Sequence, residues 1–407
     1  MLIYFFWIIF IFFTEKISCD SIAVPLSLKY GTYYLSLSLI HQKANLELPI
    51  NLSSQYTIVT SSSFRIFPET KSSPLRIPYL NEKIDLETAY YNKDNVSIFP
   101  AVNLYSFPFY YIQYFSSNFD TRLESIPFAF KFDDESFSVT HQLFNKKLIS
   151  HLSFALISEE NNKKSLVFGK NPSKMKTHSS SAQLKVKSEY NTWGSELSYI
   201  FLDKISYISK NTFYTNKYYT FFDAGLKGIH VPADFYQFVM DNIFKSYVEK
   251  NKCRDVIFSE ATFFVCDTDI IGTFPDLIFV FENQAIKLPM KKVFAPMGST
   301  ADLLMVPNTI INDTFILGNS FISEYDAMFD YQEKKISFYS NNRRIETVNF
   351  AILFPQKKII VLIALGLVAI LGVFWYKYGK KFLKKKRNQK FKESFLALKP
   401  ELNFNII

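Results

Sequence analysis

Two short stretches of this chain set a polar residue at the end of an apolar run and follow it with a turn. The first reads Leu48-Pro49-Ile50-Asn51-Leu52-Ser53-Ser54 and the second Phe221-Phe222-Asp223-Ala224-Gly225. Two such turns, each bearing a carboxylate, can activate a water molecule. Like charges in contact cannot both ionise, so the two acids share one proton, and one acts as base while the other donates to the group under attack. Here only Asp223 can titrate. Asn51 is nearly the size of aspartate and keeps the shape of such a site, but its amide cannot exchange the proton.

The residues around each turn indicate the elements that must hold it. Upstream of Asn51, Gly31-Thr32-Tyr33-Tyr34-Leu35-Ser36-Leu37-Ser38-Leu39 alternates at period two, and downstream Tyr56-Thr57-Ile58-Val59-Thr60-Ser61 reads as another strand. After Asp223, Gly228-Ile229-His230-Val231-Pro232 leads into a run where Phe235, Phe238, Val239, Ile243 and Tyr247 recur at helical spacing, with Pro232 placed to open the helix. The order is strand, turn, strand, helix.

A third stretch, Phe315-Ile316-Leu317-Gly318-Asn319-Ser320-Phe321, is followed by Tyr325, Phe329-Asp330 and Lys335-Ile336-Ser337-Phe338. It resembles the closing segment of the pepsin-like aspartic proteases, in which Ile-Leu-Gly-Asp precedes a Phe, a Phe-Asp pair and the final strand. The two turns then resemble that family's paired catalytic loops. Weaker equivalents in the first half are Ser125-Ile126-Pro127-Phe128-Ala129, the helical run Val139, Leu143, Leu148, and Ser165-Leu166-Val167-Phe168-Gly169-Lys170. The resemblance spans about residues 30 to 340. It implies a mostly all-β, bilobal acid protease fold with a few short helices. The lobes would be residues 25–180 and 181–348, divided near the polar run Thr177-His178-Ser179-Ser180-Ser181, an expected linker.

The resemblance also identifies what is missing. In the family a hydroxyl residue and a glycine follow each aspartate. The hydroxyls hydrogen-bond between the loops and the glycines let the backbones approach. In this chain Leu52 and Ala224 replace the hydroxyls and Ser53 replaces the first glycine, leaving Gly225. Tyr79, in Ile77-Pro78-Tyr79-Leu80-Asn81, is the candidate flap tyrosine for ligand binding, but no glycine follows it up to Tyr91, and an ordinary strand aromatic is an equal reading. Together these features point to a divergent, inactive member: a pseudoprotease whose cleft binds a peptide or protein partner. The alternative is an active aspartic endopeptidase that uses Asp223 with a second, unrecognised acid.

Charge places the chain in a membrane rather than on nucleic acid. Residues 2–13 form an uninterrupted apolar run before Ser18-Cys19-Asp20, which reads as a signal peptide over residues 1–19, with an uncleaved anchor as the alternative. Residues 359–376 carry no charge and are flanked by Lys357-Lys358 and Lys377, the pattern of a transmembrane helix. The tail, residues 377–407, holds eight of the nine formal net positive charges. Cationic loops stay on the cytosolic side, so the expectation is a single-pass type I membrane protein of the secretory pathway or cell surface, its large segment lumenal or extracellular. Cys253 and Cys266 are then a candidate disulfide, or two buried thiols, and the family commonly has a bridge in that region. Asn95-Val96-Ser97 and Asn312-Asp313-Thr314 are candidate glycosylation sites at Asn95 and Asn312. The five histidines are scattered, so neither a metal nor another cofactor is expected.

Overall fold

Strand Thr32–Leu39 shows why this sequence makes sheets. Leu35, Leu37 and Leu39 are buried along one face while Ser36 points to solvent, the alternation that a half-buried strand requires. The computed structural model describes residues 21–29, 31–60, 73–79, 82–98, 102–112, 125–132, 134–159, 163–169, 178–187, 192–202, 205–207, 218–258, 261–308, 311, 313–341, 344–347 and 366–397. Two compact units are present, Met1–Thr347 and Val348–Ile407.

The first unit is mostly β and uses one pairing pattern twice. Strand Ala44–Asn51 runs antiparallel to Thr32–Leu39, and its end runs parallel to Ile126–Pro127, with Asn51 opposite Pro127. In the second half Tyr218–Phe222 runs parallel to Thr314–Leu317, with Phe222 opposite Leu317. Each half then adds an antiparallel return onto the same segment, Ile58 to Ser125 in the first and Ile229–Val231 to Thr314–Leu317 in the second. Both polar turns therefore leave the end of a strand pinned on two sides. Gly318 permits the second closure, because a Cβ there would lie 2.0 Å from the Gly228 carbonyl oxygen.

A six-stranded antiparallel sheet unites the halves. Its order is Ser21–Pro25, Lys164–Gly169, Ser153–Ser158, Asp326–Asp330, Lys335–Ser340, Ser180–Lys185. The polar run expected as a linker enters this sheet: Ser180 and Ser181 open strand Ser180–Lys185, opposite Ser340 and Tyr339. Hydroxyl side chains there bond the neighbouring backbone, as Ser180 Oγ does to the Ser340 carbonyl at 3.0 Å, so a run that reads as loop is paired instead.

The helices follow the apolar spacing. Helix Val139–Asn145 is capped by the Ser138 hydroxyl, which accepts from the His141 N–H at 3.3 Å, and it buries Val139 and Leu143. Pro232 is the N-cap of Ala233–Val239, which continues through a π-helical turn, Met240–Phe244, into Lys245–Glu249 and buries Phe235, Val239 and Ile243.

In the second unit residues 366–374 are helical, Trp375–Gly379 form a π-helical turn and Lys380–Ala397 an α-helix. Residues 1–19 and 359–365 lie outside the described residues, so the expected signal peptide and the first part of the expected span are not seen. Among the described residues no helix is long and apolar enough to cross a membrane.

The six-stranded sheet also buries a charge. The Lys164 ammonium donates to the Tyr325 carbonyl and lies 3.7 Å from Asp326 Oδ1, while His178 Nε2 is 3.1 Å from Asp326 Oδ2. Burial pushes the Lys164 amine down to about 8, with Asp326 and Glu324 pulling it back up. Between that value and the ordinary lysine value the unfolded chain binds more protons than the folded one, so this group makes stability rise with pH. In urea unfolding of the chain, the stability of the wild type relative to Lys164→Met is expected to increase from pH 8 to pH 9.5. A difference independent of pH over that window contradicts the assignment.

Candidate functional site

The first turn is organised by the side chain of Asn51. Its Oδ1 accepts from the N–H groups of Ser53 and Ser54, both at 2.8 Å, and its own carbonyl accepts from the Phe128 N–H at 2.8 Å. An aspartate could accept the same two bonds, which is why asparagine keeps the turn's shape. Below it, Ser54 accepts from the Ser125 hydroxyl at 3.3 Å, and Trp193 Nε1 donates to the Phe128 carbonyl at 2.6 Å. Trp193 is fully buried, with its ring against Phe130, Phe154, Phe329 and Tyr331. Aromatic side chains from both halves thus fix the floor beneath the turn.

The second turn mirrors it. Asp223 is 1% exposed, and its Oδ1 accepts from the Gly225 N–H at 2.9 Å. Its backbone N–H donates to the Leu317 carbonyl at 3.1 Å. Gly225 is where the two turns meet: a Cβ there would sit 3.2 Å from Asp223 Oδ1, 3.3 Å from the Ile50 carbonyl and 3.6 Å from the Asn51 Cα. The structure therefore brings the Asn51 and Asp223 turns together.

The contact between them is a hydrogen bond from the Ser53 hydroxyl to Asp223 Oδ2 at 3.0 Å. Ser53 itself is 2% exposed, and Leu52 and Ala224 beside it are fully buried. Both Asp223 oxygens are thus held as acceptors, one by its own turn and one by an alcohol from the opposite turn. Above this floor opens a cleft of about 600 Å³, bordered by Asn51, Gly225, Lys227, His230, Phe263 and Asp302 among others.

The comparisons with known proteins agree with this geometry. The family described as eukaryotic aspartyl protease matches residues 123–340, more than half of the chain. The chain belongs to the eukaryotic aspartyl protease family. The matched stretch holds Asp223 and the closing segment but leaves out the turn that carries Asn51. Among solved structures, an aspartic proteinase from Irpex lacteus is similar, with a TM-score of 0.58 at 14% identity, over 80% of this chain and 99% of that one. A search of curated proteins finds no match. The fold is pepsin-like.

The other sites expected in this family member fall as follows. Tyr79 ends strand Ser73–Tyr79, paired with Glu82 in the hairpin to Glu82–Ile98, and its side chain lies outside the described residues. Cys253 and Cys266 face each other in adjacent strands and are joined by a disulfide. Asn95 is partly buried, with Nδ2 2.9 Å from His41 Nε2 and Oδ1 accepting from the Ser106 N–H at 3.0 Å. Asn312 lies outside the described residues. Asn319 stands where the family's closing motif has aspartate. Its Nδ2 donates to the Gly31 carbonyl at 2.6 Å, and among the described residues its buried Oδ1 has no partner.

Sequence reasoning missed Ser53, Trp193 and Asp302. Ser53 was readable as a lost glycine, and only the turn geometry shows that its hydroxyl reaches the surviving acid. Removing one partner of a buried hydrogen bond to a charged group costs about 1–3 kcal/mol. A double-mutant cycle of Ser53→Ala and Asp223→Asn, measured by urea unfolding, should therefore give a coupling of about 1 kcal/mol or more. Additive effects, within roughly 0.3 kcal/mol, mean that the two side chains do not bond.

Proposed function

We propose that this protein is a membrane-anchored pseudoprotease of the pepsin-like family, which binds a peptide or protein partner in its cleft. The observation that carries the reading is the Ser53 hydroxyl on Asp223 Oδ2. A proteolytic pair needs a second acid in contact with the first, able to exchange a shared proton. In this chain an alcohol holds that oxygen, and the residue at the first acid's position is an amide whose carbonyl is committed to its own turn. Neither group is a second acid. What the fold retains is the cleft, whose lining sets apolar residues such as Phe263, Leu304 and Val306 beside the polar Asn51, Lys227, His230 and Asp302, a mixture suited to a ligand with both kinds of group.

The anchoring part of the proposal rests on the uncharged residues 359–376 and the cationic tail after them. The Cys253–Cys266 disulfide and the acceptor motif at Asn95 suit a large segment on the lumenal or extracellular side. In that arrangement Tyr79 is the candidate ligand contact from the flap hairpin, and Asn95 and Asn312 are candidate glycan carriers.

The test is proteolysis at acid pH by the purified full-length chain in detergent, with denatured protein as substrate and the Asp223→Ala variant beside it. No cleavage above that of the variant is expected. Cleavage that depends on Asp223 overturns the pseudoprotease reading in favour of an aspartic endopeptidase.

A further inference from the structure

The cleft contains a carboxylate that makes no ion pair among the described residues. Asp302 lies on strand Thr300–Leu303, which is paired on both sides, with Val265 opposite on one neighbour and Ala295 on the other. Its backbone is thus held on both sides, and its side chain borders the cleft that Phe263 and Val306 also line. Asp302 is partly buried, and among the described residues its buried Oδ1 has no hydrogen-bond partner and the side chain makes no ion pair. An acid kept for structure alone is normally satisfied by donors, because a buried acceptor left without one is costly.

The nearby cation does not resolve this. Lys227 borders the same cleft, and its aliphatic chain runs so close to Gly31 that a Cβ there would lie 2.8 Å from Lys227 Cγ. Its charge acts on Asp302 without forming an ion pair. Burial holds the Asp302 carboxyl above its usual range and Lys227 pulls it back. The surrounding surface suits the stem of a long cationic side chain: Phe263 and Val306 are each 39% exposed and apolar, and such stems cover apolar surface while the charged head meets an acceptor.

We infer that Asp302 is a specificity-determining residue of the cleft, which accepts the basic side chain of a bound peptide or protein segment. The inference rests on the proposed ligand-binding role of the cleft and adds the ligand's chemistry. Bringing a lysine or arginine head to Asp302 supplies the donor that its carboxylate lacks, and the stem packs on Phe263 and Val306. Lys227, as a like charge in the same cleft, weakens that binding rather than serving it.

The experiment is affinity selection of a degenerate octapeptide library by the full-length chain in detergent micelles, with sequencing of the bound fraction. The wild type should enrich lysine and arginine at one position by about tenfold. Asp302→Asn, which is isosteric and whose folding is checked by thermal melting, should lose the enrichment. Asp302→Lys should shift it toward acidic residues, and Lys227→Met should strengthen it. If the wild type binds peptides without a basic preference, or Asp302→Asn keeps that preference, the assignment of Asp302 is wrong while the cleft reading stands. If the wild type retains no peptide at all, the cleft reading fails and the inference falls with it.

Discussion

Asp223 is a buried carboxylate held by donors, and one of them comes from the opposite half of the chain. The Ser53 hydroxyl reaches Asp223 Oδ2 across two turns that are far apart in sequence. That bond depends on everything beneath it. The parallel pairing of Ala44–Asn51 with Ile126–Pro127 and of Tyr218–Phe222 with Thr314–Leu317 aims both turns at the same point. The absence of a side chain at Gly225 lets them close to van der Waals distance. With Leu52 and Ala224 buried on either side, no other side-chain hydroxyl at these positions can take over the role.

The positions that set shape have been kept, and those that set chemistry have changed. Asn51 accepts two backbone bonds as an aspartate would, Gly318 still admits the backbone of Leu226 and Gly228, and strands Ser153–Ser158 and Asp326–Asp330 still join the halves. On the proposed reading the fold outlasts its reaction, because packing and backbone pairing demand volume and register, whereas proton exchange demands one chemical group at one place. In the first turn an amide and an alcohol stand where the family has an acid and a glycine, beside the Asp223 carboxylate. The cleft above it persists, lined by Phe263, Asp302 and Lys227.

Much of this was legible in the sequence, for physical reasons that also explain the omissions. Period-two alternation predicted strand Thr32–Leu39, Pro232 marked the start of its helix, and the Phe315 to Phe321 motif located the segment that closes the second half. These signals are local. The contributions of Ser53 and Trp193 are not: each acts on a residue that only the tertiary fold brings near, Asp223 for one and Phe128 for the other. Lys164 was hidden for the opposite reason. A lysine in a strand reads as a solvated residue, and only its position in a sheet covered on both faces buries it against Tyr325 and Asp326. The strand at the end of the expected linker was hidden similarly, since hydroxyl runs that favour loops also suit a sheet edge where Ser179 and Ser180 both bond the Ser340 carbonyl.

In the proposed pseudoprotease the missing acid is not the sole change, because Ser53, Leu52 and Ala224 also reshape the floor around Asp223. The most direct test is to restore only the acid. The full-length Asn51→Asp variant, incubated at acid pH with denatured protein and analysed by mass spectrometry, should show no cleavage beyond that of an Asn51→Asp, Asp223→Ala double variant, since catalytic groups that act as a unit are strongly non-additive. Proteolysis by Asn51→Asp that vanishes with Asp223→Ala would contradict the account, showing that the cleft had lost one functional group and nothing else.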